Sequence, residues 1–60
     1  MHTLTAADLE VVYDLLADAL DQATPAKAEL FLTKLALLSA QALGDAQAFT
    51  DLTQAALQDL

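Results

Sequence analysis

Leu9, Val12, Tyr13, Leu16, Leu20 and Ala23 recur at intervals of mostly three and four, a spacing that lines them along one side of an α-helix. Glu10, Asp14, Asp18 and Asp21 fall on the other side. The start of this helix is marked locally. Thr5 can cap it, and Asp8 three residues later completes an acidic capping box. Leu4 and Leu9 flank the cap at hydrophobic-staple spacing. These signals predict a first helix over residues 6–22.

A second helix is predicted over residues 25–43. Thr24 can cap it, Pro25 suits its first turn, and Gly44 can take the left-handed conformation that ends it. Its apolar pattern is broader than that of the first helix. Phe31, Leu35, Leu38 and Ala42 form a seam, which Ala28, Leu32, Ala36 and Leu43 widen on one side. Leu30 and Leu37 lie outside that arc, one heptad apart, beside Lys27, Lys34 and Gln41. A helix apolar around most of its circumference is normally covered by more than one neighbour. A third helix, over residues 46–58, opens at Asp45 as N-cap. Phe49, Leu52, Ala56 and Leu60 mark its thinner stripe, and its end is expected to fray. Strands are not expected: β-branched residues are few, and no window alternates apolar and polar residues for long.

The expected fold is therefore all-α: an antiparallel helical hairpin plus a shorter third helix, in a single domain over residues 1–60. Size then changes the picture. A chain of this length buries only about 60% of the surface its unfolded form exposes, so a lone core is marginal. Cysteine is absent, which removes disulfides and thiolate metal sites as supplements. Oligomerisation remains, and Leu and Ala together fill 28 of the 60 positions, more than a small monomer can hide. Leu30, Leu37 and Lys34 are the expected interface of a homodimer or higher oligomer, assembled as a helical bundle.

Charge narrows the partners. Nine carboxylates against two lysines give a net charge of −7 with no arginine, which argues against nucleic acid. The opening MHTLTAADLE has no basic stretch leading into an apolar core, and the longest uncharged run, LALLSAQALG, is too short to cross a bilayer. No membrane association is expected, and the default location is the cytoplasm.

Candidate chemistry is sparse. The row Glu10, Asp14, Asp18 and Asp21 reads as a solvated face that keeps a leucine-rich chain dispersed, or as a docking strip for a basic partner. A metal is not expected there, because calcium sites also recruit carbonyls from a turning loop that a regular helix withholds. His2 stands alone before the first cap, and Ser39 has no histidine or glycine-rich elbow near it in sequence. No catalytic residue, cofactor or metal ligand is expected, and no enzymatic activity. Tyr13, Phe31 and Phe49 are the residues expected to line an apolar pocket between helices, if the chain binds a small molecule. Folding the first two helices back about Thr24 makes Asp14 equidistant from the turn with Lys34, and Asp21 with Lys27. These are either register-setting pairs or unrelated solvated charges.

The segment Phe31-Leu32-Thr33-Lys34-Leu35-Ala36-Leu37-Leu38, followed by Leu43-Gly44-Asp45, resembles a family of short bacterial helical proteins of unknown function, whose leucine-rich second helix ends in Leu-Gly-Asp. Val12-Tyr13-Asp14 fits the same pattern. The resemblance implies a helical bacterial protein encoded beside catabolic enzymes, and it brings no activity or catalytic residue. Together these readings point to a non-catalytic interaction module, a small homo-oligomer or an accessory subunit of a larger enzyme. The alternative is a small-molecule binder.

Overall fold

Thr5 opens the first helix as its local chemistry dictates. Its Oγ1 accepts from the Asp8 N–H at 3.0 Å, and the Asp8 carboxylate accepts from the Thr5 N–H at 3.4 Å. Two N–H groups that have no partner inside the helix are thereby satisfied. The computed structural model describes residues 3–60, and in it this helix, α1, spans Ala6–Ala23. A single 3₁₀ turn, Pro25–Lys27, leads into α2, Ala28–Leu43, and α3 spans Ala46–Ala56. Among the described residues the chain is all-α, with no strand. His2 lies outside the described residues.

The two breaks are built differently. Gly44 has φ 71° and ψ 19°, the left-handed cap expected of it, and its N–H donates to the Ala40 carbonyl at 3.0 Å. Asp45 then restarts the chain: its Oδ1 accepts from the N–H groups of Gln47 and Ala48 at 3.0 and 3.1 Å. A Cβ added at Gly44 would meet nothing within 4 Å. Gly44→Ala therefore costs only backbone strain, and urea denaturation is expected to show a loss of about 1 kcal/mol. A neutral result would mean that α2 and α3 join into one rod.

At the first break Thr24 makes no side-chain cap, which differs from the expectation drawn from sequence. It takes φ 68° and ψ 158° instead, a region almost reserved for glycine, at a cost of order 1–3 kcal/mol. Pro25 fits the turn that follows, because its fixed φ suits a first helical position. The α-helix proper thus starts three residues later than Pro25. At the other end α3 stops at Ala56, short of residue 58, and the last turn closes with the Leu57 N–H donating to the Thr53 and Gln54 carbonyls.

The helices meet only near these breaks. Leu16, Ala19, Leu20 and Ala23 of α1 and Ala28 and Phe31 of α2 are half-buried around the first. Ala36, Ala40 and Leu43 of α2 and Ala48 and Phe49 of α3 are half-buried around the second. Among the described residues, no two that are twelve or more apart in sequence bring their Cα atoms within 8 Å. The helices splay from α2 and do not lie alongside it. None of the described residues is buried. The radius of gyration is 12.7 Å, where a compact chain of this length has about 10 Å. The accessible surface is 5359 Å², where a compact 6.3 kDa monomer exposes about 3,700 Å².

Candidate functional site

The splay of α1 from α2 leaves a groove. Its floor is apolar, built from the half-buried Phe31 and Leu35, with the more exposed Leu38 on the same face of α2, three and four residues apart. Ala23, at the end of α1, closes one side. Leu30 and the two lysines, Lys27 and Lys34, form the opposite rim. The groove has a volume of about 310 Å³. Lys27 and Lys34 are the only cationic side chains of the chain other than the single histidine, and both are here. One heptad on a helix is about 10.5 Å, so Lys27 and Lys34 stand about that far apart along α2.

The expected interface is partly gathered in this place. Leu30 and Lys34 line the groove, and Leu37 does not: it stands exposed beyond the lysine row. The expected pocket is not assembled. Phe31 is in the groove floor, whereas Tyr13 is 73% exposed on α1 and Phe49 is half-buried at the second break. The Cα atoms of these three residues all lie more than 8 Å from one another. Nothing in the spacing of three aromatics foretells which helix faces turn toward each other.

Glu10, Asp14, Asp18 and Asp21 are all exposed along α1. Asp14 and Lys34 do not come together within the chain, their Cα atoms being more than 8 Å apart. Among the described residues, no three carboxylates or imidazoles converge in a way that could hold a metal ion. No helix there is long and apolar enough to cross a membrane. Chemically the groove can bind an apolar surface whose edge is anionic. The side chains around it include no serine, cysteine, histidine or carboxylate, and lysine is their only titratable type.

Ala23, Lys27, Leu35 and Leu38 were not singled out as site residues by the sequence. The signal for them was present: Lys27 and Lys34 border the Phe31, Leu35, Leu38 seam. An antiparallel hairpin would have covered that seam with the chain's own α1 and hidden the groove. Compared with known proteins, the chain matches no family model, no curated protein and no solved structure.

Proposed function

We propose that the chain is a non-catalytic helical interaction module that acts by self-association, as a small homo-oligomer or as the accessory subunit of a larger enzyme. One observation carries this reading: none of the described residues is buried, although the chain is rich in leucine. Leu15, Leu30, Leu37 and Leu38 are each about six-tenths exposed. Exposed apolar surface of this extent marks a contact surface in a folded protein. Net charge works in the same direction. Acidic outer faces repel further copies, so association stops at a closed symmetric assembly. In that assembly the helices form a bundle, with antiparallel contacts of α1 and α2 supplied between copies. The resemblance of the Phe31–Asp45 segment to short bacterial helical proteins fits a small cytoplasmic bacterial protein of this kind.

Sedimentation equilibrium at micromolar concentration tests the reading, with far-ultraviolet circular dichroism on the same samples. A mass of at least twice 6.3 kDa is expected, with high helix content. A single species of 6.3 kDa, fully helical at every concentration, overturns it.

A second reading rests on the groove itself. Its volume of about 310 Å³ is at the lower end for ligand sites, which run to about 1,000 Å³. An apolar molecule with an anionic end would suit the floor of Phe31 and Leu35 and the rim of Lys27 and Lys34. Retained mass on the monomer in native mass spectrometry distinguishes this reading from self-association.

A further inference from the structure

We infer that the groove between Lys27 and Lys34 receives the N-terminal half of α1 from a second copy of the chain, with Glu10 and Asp14 of the incoming helix set beside the two lysines. The inference rests on the self-association proposed above and names its contact.

Three observations lead to it. The first is charge. The groove holds both lysines of a chain that otherwise carries nine carboxylates, so the surfaces available from another copy are acidic, and α1 is the most acidic helix. Opposite charges on meeting surfaces fix register and partner. The second is shape. The C-terminal half of α1 is taken up at the first break, where Leu16, Leu20 and Ala23 are half-buried. Its N-terminal half is uncovered: Leu9, Val12 and Tyr13 share the same stripe and are all exposed. Leu9 to Tyr13 covers about 6 Å of helix, as does Glu10 to Asp14, and both fit within the roughly 10.5 Å that separates Lys27 from Lys34 along α2. Glu10 and Asp14, four residues apart, stand on the acidic side of the same helix, with Glu10 one turn from Tyr13. The third is area. The surface of 5359 Å² exceeds that of a compact monomer by about 1,600 Å², so a pair of chains has about 3,200 Å² to cover. That lies in the range of obligate homodimers, about 2,000–5,000 Å². A two-fold axis doubles the contact: each copy offers one groove and one helix, and both are filled. The pairing of Asp14 with Lys34, absent within one chain, then forms between two.

Two charge-reversed proteins test this pairing. One carries Lys27→Glu with Lys34→Glu, the other Glu10→Lys with Asp14→Lys. In the first alone, acidic helices meet acidic grooves; in the second alone, basic helices meet basic grooves. Each is expected to raise its own dissociation constant at least about tenfold, by sedimentation or by dilution of a fluorescent label. Mixed in equal amounts, both contacts regain opposite charges, and a 1:1 heterodimer of near-unmodified affinity is expected. Variants that each associate as the unmodified chain does, or a mixture no tighter than its components, overturn the pairing while leaving self-association standing. An unmodified chain that is monomeric overturns both, and if a small anion is retained on that monomer, the groove belongs to the ligand. Crosslinking gives a second measurement that does not depend on how the reversed chains fold. The chain has no cysteine, so Asp14→Cys mixed with Lys34→Cys reports the contact alone through a short bis-maleimide. A heterodimeric product is expected there and not with Asp51→Cys in place of Asp14→Cys. Equal products from both mixtures overturn the pairing.

Discussion

Leu30→Asp is expected to leave the chain monomeric at micromolar concentrations where the unmodified protein is assembled. Leu30 is on the groove rim beside Lys27 and Lys34, and it is 59% exposed in the single chain. Fully burying a leucine contributes about 1.5–3 kcal/mol, and a two-fold contact contains this residue twice. With about six-tenths of each side chain still to be covered, loss of both gives about 2–3.5 kcal/mol, a rise in dissociation constant of at least about twentyfold. The aspartate adds a further cost wherever desolvation exceeds its attraction to the nearby lysines. Leu37→Asp is a graded comparison. Leu37 is one heptad on, outside the groove, so a smaller shift is expected. Sedimentation equilibrium of both variants reads the difference. Unchanged association in Leu30→Asp would move the contact to another exposed face, such as that of Val11 and Leu15 on α1.

The elements of this chain were legible because their causes are local. The Thr5–Asp8 box, the Gly44 left-handed cap and the Asp45 N-cap each depend on residues a few positions apart, and each is present as the sequence implied. Their errors were local as well. The Thr24-Pro25 step has cap chemistry in sequence, yet Thr24 takes φ 68° and Pro25 begins a 3₁₀ turn. The end of α3 moved because Leu57 to Leu60 has no neighbour to pack against: Leu57 is exposed, and Leu60 is 98% exposed.

The candidate site was legible only in part, and the reason is geometric. Leu30, Lys34 and Phe31 could be picked out because one helix carries them, so their relation is set by the helical repeat. Tyr13 and Phe49 were joined to Phe31 through helix packing, which depends on the angle at each break. A short connection favours antiparallel neighbours, but the backbone at Thr24 sends α1 away from α2 instead. That conformation costs of order 1–3 kcal/mol, and none of the described residues is buried to offset it. The open arrangement thus asks for contacts from outside the chain. The strain at Thr24 adds to the exposed leucines as a reason for an assembly in which α1 of one copy covers α2 of the next.

From the same shortage of buried surface, the thermal midpoint is expected to rise with protein concentration, by about 5 °C for each tenfold increase. The unfolded chain would expose about 9,100 Å², so a single chain at 5359 Å² hides only about 40% of it, against about 60% for a stable domain of this size. Backbone ordering costs about 1–2 kcal/mol per residue whether or not a core forms, and three helices joined only at their ends have little with which to oppose it. Folding and association should then be one transition, from two unfolded chains to one dimer. Tenfold dilution removes RT ln 10, about 1.4 kcal/mol, from such an equilibrium. With an unfolding entropy of about 2.1 cal/mol/K per residue over two chains, that becomes the 5 °C step. Circular dichroism melts from micromolar to hundreds of micromolar protein check it, and helix content should fall in step with dissociation on dilution. A midpoint that stays constant across that range would place the core within one chain, with α1 and α3 folded down onto α2 and the groove closed by the chain's own residues.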